Sequence, residues 1–514
     1  MIERSSIKHD KGPLYLYYLR DDKYCIRLSS RKSDVRKVRI WYCEKYDNKL
    51  LKINGILKSV EMKKVYTTNE SDIFLGVVPF KGITFSYFFE LIDESNNSLY
   101  YGNFSFADKP FNDVMDMFDG VTYLLTKTSI KANKGFMGGV IYQIFVERFC
   151  PTDEVSENWY TAPIKGELRT NGTFKGITSK LDYLKELSVD AIYLTPIFVS
   201  RTAHRYDVED YFALDPLLGT EDDFKTLVNK THKKGIKVIL DVVFNHTSAN
   251  HFAFQDVIRN QSKSEYKDWY FINKYPVKIE KNANYKCFST AAYLPKLNTD
   301  NEMVQKYLFT ACKKYITEFN VDGFRIDVSD EISFDFLRKL NKLCKDLKSD
   351  FMIYGEIWFD PTLYLSGDMF DSFMNYRFYD LIRKILHKDI TLDQFNGYLQ
   401  DMYSRINVNA INSILNLVSS HDSERFFYQV HENYDLFKMG YAMLFLLPGA
   451  TMLYYGEENA LGGSTDPDNR RGMDFNRNKE TFDYIKRLSE IKHIEVFKYG
   501  SFNVVYCDKD IYVI

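Results

Sequence analysis

From about Val121 onwards, apolar strand-like runs alternate with helical periods, and this rhythm limits the chain more than any other feature. The runs are Val140–Phe145, Ala191–Thr195, Lys237–Phe244, Val321–Val328, Phe351–Tyr354, Ser372–Asn375, Ile414–Val418 and Met452–Tyr455. Between them, apolar residues recur at helical spacing, as at Ile177, Leu181, Leu184 and Leu187, or at Val304, Leu308, Ala311, Tyr315 and Phe319. Thr220-Glu-Asp-Asp223 has the form of a capping box before Phe224, Leu227 and Val228. Strand–helix alternation implies a parallel sheet, since parallel neighbours need a crossover connection. Eight repeats favour closure into a (β/α)8 TIM barrel over an open sheet. The stretch from Asn245 to about Asn298 breaks the rhythm. It is polar and aromatic, has little periodicity and is too long for a loop, so it reads as an inserted subdomain (246–298) after the third strand.

The barrel is expected over 123–480. Ahead of it, Leu14–Leu19, Tyr24–Leu28, Val38–Tyr42, Ile73–Val78, Ile83–Leu91 and Leu99–Tyr101 are short β-branched and aromatic runs separated by polar turn clusters. They predict an α/β protein whose N-terminal domain, 1–122, is a β-sandwich. No acid pair or histidine cluster lies there, so its expected role is binding or covering another surface. Behind the barrel, 481–514 shows one helical period from Tyr484. Glu495–Tyr499, Phe502–Cys507 and Ile511–Ile514 then read as two or three strands, a shortened C-terminal β region too small to stand alone.

Composition closes off several function classes. With 68 basic and 70 acidic residues the net charge is −2, so nothing draws the chain to nucleic acid or an anionic membrane. No apolar run has transmembrane length, and the first ten residues lack an apolar signal core. Seven scattered cysteines fit free thiols in a reducing cytoplasm better than a disulfide framework or a zinc site.

Acids and histidines fall at strand ends, and in a barrel the carboxyl ends of all strands open on one face. Asp241 opens Asp-Val-Val-Phe-Asn-His246, and Asp327 ends Gly323-Phe-Arg325-Ile-Asp327. Glu356 follows Phe351-Met-Ile-Tyr-Gly355, and His421-Asp422 follow Ser413–Ser420. His204 and Tyr206 lie just beyond the second strand. Taken singly, each is more simply structural; an isolated Arg-x-Asp is an ion pair. All of them at carboxyl ends point to a shared site. Two carboxylates flanking an acetal can cleave it, one as nucleophile and one as proton donor. Arg325 and Asp327 leave their strand on the same side, and the guanidinium is expected to lower the Asp327 pKa and keep it ionised. Glu356, bracketed by Tyr354 and Trp358, is expected to have a raised pKa, as a general acid needs. Asp422 would hold sugar hydroxyls, and His246 and His421 would donate to them. Tyr206 and Trp358 offer faces for sugar rings. A metal site from His246, Asp241 and Asn245 lacks a further ligand close in sequence.

These residues resemble the α-amylase superfamily, the retaining α-glucosidic enzymes of glycoside hydrolase family 13, over roughly 139–475. Asp241-Val-Val-Phe-Asn-His246, Gly323-Phe-Arg-Ile-Asp327, Gly355-Glu356 and Val418-Ser-Ser-His-Asp422 look like its four signature segments, in order. The resemblance implies Asp327 as nucleophile, Glu356 as acid/base and Asp422 as transition-state stabiliser. Arg325, His246, His421 and Tyr206 would surround the sugar being cleaved, with Asp241 and His204 in the same substrate-binding set. Within the superfamily, the chain is similar to the neopullulanase, cyclomaltodextrinase and maltogenic amylase group. Leu294-Pro-Lys-Leu-Asn298, Gly355-Glu-Ile-Trp-Phe-Asp360 and the N-terminal β region carry that similarity. In that group the N-terminal domain commonly covers the active site of a second subunit, which implies a homodimer. Asp466 and Arg470 match residues that hold more distant sugars on the non-reducing side, and Trp358 matches an aromatic on the reducing side.

The resemblance implies cleavage of cyclomaltodextrins, maltooligosaccharides or pullulan, with transglycosylation. The alternatives are an oligo-1,6-glucosidase or sucrose-type α-glucosidase, and an inactive glucan-binding barrel. The chemistry requires no cofactor. Many relatives bind calcium through Asn-Gly-Asp after Arg-Phe; here Arg148-Phe149 is followed by Cys150-Pro-Thr-Asp153, which weakens the case for calcium. Ser329-Asp330-Glu331 stands where the group more often has Ala-Asn-Glu, directly after the proposed nucleophile.

Overall fold

A computed structural model describes residues 2–45, 57–128, 136, 138–165, 168–280 and 282–514. Among the described residues, nine antiparallel strands come first. They are β1 (Leu16–Arg20), β2 (Lys23–Arg31), β3 (Lys37–Glu44), β4 (Lys58–Thr67), β5 (Ser71–Pro79), β6 (Thr84–Ile92), β7 (Ser98–Tyr101), β8 (Phe106–Ala107) and β9 (Phe118–Val121). They pair in the order β1-β2-β5-β4-β3-β6-β7-β8, with β9 also on β6. Alternation drives the packing. In β6, Phe85, Tyr87, Phe89 and Leu91 enter a core with Ile26, Leu28, Val38 and Ile40, while Phe88 packs the other way against Phe111, Val114 and Met117. β4, β8 and β9 were not expected from the sequence. In β4 only Met62 is buried, so the strand carries no apolar signal.

The barrel follows. Its strands are β10 (Val140–Ile144), β11 (Ala191–Leu194), β14 (Lys237–Val242), β15 (Gly323–Ile326), β16 (Met352–Ile357), β17 (Ser372–Asn375), β18 (Leu415–Asn416) and β19 (Ala450–Tyr454), closed in that order. A short hairpin, β12 (Phe198–Ser200) and β13 (Val208–Leu214), rises beyond β11. All eight barrel pairings are parallel, and β10 pairs β19 to close the ring. Period two then assigns every side chain. Ile141, Ala191, Tyr193, Ile239, Met352, Tyr354, Met374 and Leu415 fill the interior, while Val140, Tyr142, Val238, Leu240, Phe324 and Ile326 meet the helices outside. Continuing the inward set one step towards the carboxyl ends reaches Gln143, Asp241, Arg325 and Glu356.

At the opposite end, three aspartates that immediately precede strands staple the ring. Asp190 accepts from the Val140 N–H at 2.8 Å, Asp322 from Val238 at 2.8 Å and Asp371 from Ile353 at 2.9 Å. Side chains on or capping helices face them: His493 on Asp190, His232 on Asp322 and Lys345 on Asp371.

The capping box at Thr220 and Asp223 forms as its sequence implies. The stretch 246–298 contains, among its described residues, the α-helix Phe252–Asn260, the 3-10 turns Gln261–Lys263 and Lys267–Trp269, and isolated bridges such as His246 to Lys296. Its Phe254, Trp269, Tyr270 and Leu297 join the core between barrel and helices. At the end of the chain one expectation is corrected. Glu495–Tyr499 is a helical turn and not a strand; it buries no side chain, so no apolar face steers it either way. The strands there are β20 (Tyr506–Cys507) and β21 (Tyr512–Val513). The N-terminal sheet docks on the helix Leu392–Ser404. The Thr67 N–H donates to Gln400 Oε1 at 2.6 Å, and the Arg27 guanidinium donates to the Ser404 carbonyl. No helix among the described residues is long and apolar enough to cross a membrane.

Candidate active site

The inward side chains at the carboxyl ends of the barrel meet beneath a cleft of about 630 Å³. Arg325, nearly fully buried, is its anchor. Its Nη1 donates to both oxygens of Asp241 at 2.9 Å and to Asp327 Oδ1 at 3.0 Å, and its Nη2 is ion-paired with Glu356 Oε2 at 2.8 Å. One guanidinium therefore ties the ends of β14, β15 and β16 together. A buried arginine with three carboxylates around it compensates charges that would otherwise be costly to bury.

Glu356 is gripped further by the Val328 N–H on Oε2 at 2.9 Å and the Trp358 indole on Oε1 at 3.0 Å. Burial raises its pKa above the ordinary glutamate value and Asp422 adds to this, with Arg325 opposing; the direction agrees with expectation. Asp327 behaves otherwise. Burial and then the facing charge of Glu356 push its pKa well up, and Arg325 only partly offsets them. The expectation that Arg325 would lower the Asp327 pKa and keep it ionised is therefore corrected, because burial and the repulsion between two carboxylates on one guanidinium outweigh the arginine. They titrate as a pair.

Asp422 shows the reverse balance. Burial opposes its ionisation, but His421, Arg470 and Arg325 outweigh burial and hold the carboxyl below its usual range. His421 Nε2 lies 2.9 Å from Asp422 Oδ2. Gln143 Nε2 lies 2.8 Å from the His421 Nδ1. Tyr206 lies parallel to the His421 ring, hydrogen-bonds to its Nε2 and donates to Asp241 Oδ2 at 2.7 Å. Tyr193 donates to the same oxygen at 2.6 Å. Arg470 spans Asp466 at 2.8 Å and Asp422 at 3.4 Å. Burial drives the His246 pKa down to about 3, so its ring is neutral. Its buried Nε2 has no hydrogen-bond partner among the described residues and would be satisfied by a ligand hydroxyl.

Every side chain singled out in the sequence is therefore at this site. His204, Tyr206, His246, Asp327, Glu356, Trp358, Asp422, Asp466 and Arg470 line the cleft; Asp241, Arg325 and His421 form its floor. Sequence reasoning missed Gln143, Tyr193, Phe288, Tyr293 and Phe359. Gln143 had a readable signal, a polar residue inside the apolar run Val140–Phe145. The aromatic walls Phe288 and Tyr293 had none, because they lie in an aperiodic stretch.

Around Arg148-Phe149 the carboxylate of Glu147 is taken up by the protein itself. Glu147 Oε1 accepts from the Thr170 and Asn171 N–H groups and Oε2 from Arg205; Cys150 places a buried thiol there, and Asp153 is exposed. A hard cation needs six or more oxygens. Among the described residues no three His, Cys, Asp or Glu side chains group to hold a metal.

A closed parallel barrel with clustered carboxylates at its carboxyl-end face suits the two-carboxylate chemistry of a glycoside hydrolase. The α-amylase catalytic domain matches residues 143–492, and the α-amylase N-terminal Ig-like domain matches residues 1–124. The chain is 36% identical to a cyclomaltodextrinase from Thermoanaerobacter pseudethanolicus, covering 98% of this chain and 88% of the relative. It is 33% identical to neopullulanase 2 from Thermoactinomyces vulgaris, covering 95% and 84%. A solved cyclomaltodextrinase superposes with a TM-score of 0.92 at 28% identity, over 98% of this chain and 88% of that one. The chain belongs to the α-amylase family of glycoside hydrolases, within its neopullulanase, cyclomaltodextrinase and maltogenic amylase group.

Proposed function

We propose that the protein hydrolyses α-1,4 glucosidic bonds, and α-1,6 bonds of the same chains, in cyclomaltodextrins, maltooligosaccharides or pullulan. One observation carries the reading: Arg325 holds Asp327 and Glu356 on a single guanidinium at the bottom of an open cleft. The buried pair retains a proton between them, and the productive form has it on Glu356. Glu356 gives that proton to the departing glucosidic oxygen while Asp327 attacks the anomeric carbon, forming a glucosyl ester. Glu356, now ionised, takes a proton from the water that cleaves the ester. A sugar hydroxyl replacing that water gives transglycosylation. Asp422, held ionised, binds hydroxyls of the same sugar, and His421 and His246 offer further polar contacts. Tyr206 and Trp358 stack on sugar rings; Asp466, Arg470 and His204 receive the more distant units. The chemistry uses two carboxylates and water and needs no cofactor.

We further read the protein as a cytoplasmic homodimer in which the N-terminal sheet of one copy narrows the cleft of the other. The relatives' names, cyclomaltodextrinase and neopullulanase, support the choice of small α-glucans. Product analysis on β-cyclodextrin, pullulan, maltotriose, isomaltose and sucrose tests the substrate class. Fastest turnover of β-cyclodextrin with maltose released is expected; exclusive cleavage of isomaltose or sucrose would overturn it. The first-formed reducing end should be α by NMR, and a β product would reject the covalent intermediate. Light scattering should give a dimer, and dialysis against EDTA should leave activity intact.

A further inference from the structure

We propose that Ser329 is a positioning residue whose buried hydroxyl locks the turn after Asp327 to the strand end that carries Glu356. The inference rests on the reading of Glu356 as proton donor.

Ser329 is fully buried, and its Oγ donates to the backbone carbonyl of Glu356 at 2.7 Å. One residue earlier, Val328 sits in the left-handed region with φ +43°. That conformation is costly for a β-branched residue and persists only where the surroundings over-determine it. Here it turns the Val328 N–H onto Glu356 Oε2 at 2.9 Å. Consecutive residues therefore grip Glu356 at its carboxylate and at its main chain. The same turn is braced from outside. Tyr364 donates to the Asp330 carbonyl at 3.0 Å, and Lys296 pairs with the Glu331 carboxylate at 2.8 Å. The turn that carries the proposed nucleophile thus reaches directly to the strand of the proposed acid.

Without the Ser329 hydroxyl, the β16 end keeps its place in the barrel ladder but loses its tie to this turn. The Val328 strain then relaxes, and its N–H drifts off the Glu356 carboxylate. Proton delivery suffers most, because it requires the carboxyl at hydrogen-bond distance from the departing oxygen. Ser329 also stands where the group that the chain resembles more often has alanine.

The test is Ser329→Ala assayed on two substrates. Maltotriose has a sugar leaving group that needs the proton of Glu356, whereas the fluoride of α-maltosyl fluoride departs without one. In S329A, kcat/KM on maltotriose should fall roughly ten- to hundred-fold while the fluoride stays within about two-fold, the scale expected for a misplaced catalytic group. Equal losses on both substrates would mark Ser329 as merely structural, and unchanged rates would mark the hydroxyl as idle; either overturns the proposal. No wild-type turnover of either substrate would instead fell the reading of the site itself. If S329A does not fold, Ser329→Cys, of similar size with a weak donor, is judged by the same split.

Discussion

The indole of Trp358 lies face to face with the ring of Tyr376, centroids 3.6 Å apart and planes 12° apart. The stack leaves Trp358 half-exposed as a wall between the main cleft and a second cavity of about 360 Å³. It also aims the indole N–H at Glu356. A donor to a carboxylate favours its charged form and lowers its pKa. Trp358→Phe keeps an aromatic face and removes the donor. The Glu356 pKa should then rise, so the proton persists to higher pH and the alkaline limb of the kcat/KM profile should move upward. A limb that moves down or stays fixed would show that the indole does not tune Glu356.

Asp327→Asn keeps the shape of the side chain and removes the nucleophile. Turnover should fall by about three orders of magnitude or more, as expected for losing a group that forms the covalent intermediate. The melting temperature should hold or rise, because a buried charge that repels Glu356 is gone. Near-normal turnover in a folded variant would reject Asp327 as nucleophile.

The barrel and most of the site were legible because they share one code. Apolar runs of period two mark the strands, and the same period carries Asp241, Arg325, Asp327 and Glu356 to one face. What was not legible has physical reasons. β4 shows only one buried side chain, so no pattern marks it. Glu495–Tyr499 is β-branched and aromatic but five residues long, too short to show a helical period. The upward shift of Asp327 depends on its burial and on the nearness of Glu356, which sequence spacing cannot supply. The Val328 N–H on Glu356 depends on a backbone torsion that valine disfavours, so propensity argues against the geometry that forms.

Arg27 is one of the side chains that dock the N-terminal sheet on the barrel. It is buried, lies 5.1 Å over the Tyr15 ring and donates to the Ser404 carbonyl at the end of the helix Leu392–Ser404. Arg27→Ala leaves that carbonyl unpaired and a void beside it, costing about 1–3 kcal/mol. Calorimetry should show a lower melting temperature, with protease cutting first in residues 1–122. An unchanged profile would place the docking energy elsewhere.

The staple between Asp190 and His493 should make stability depend on pH in a defined window. His493 Nε2 lies 3.0 Å from Asp190 Oδ2, and each side chain is less than a third exposed. Burial opposes ionisation of Asp190, but His493, the Val140 N–H and Lys498 outweigh it and lower its pKa. The hydrogen bond and charge of Asp190 raise the pKa of His493 against burial. A lowered acid contributes stability above its unfolded pKa of about 3.9 and loses it as pH falls through the folded value. A raised histidine contributes fully below its unfolded pKa of about 6.5 and loses it as pH rises through the folded value. Both contributions are complete together between about pH 4 and 6.5. The melting temperature of Asp190→Asn should therefore trail the wild type most in that window. The gap should narrow above it as His493 loses its proton and below it as Asp190 gains one. A gap that is flat from pH 3 to 9 would mean that the aspartate acts only through its hydrogen bond to the Val140 N–H.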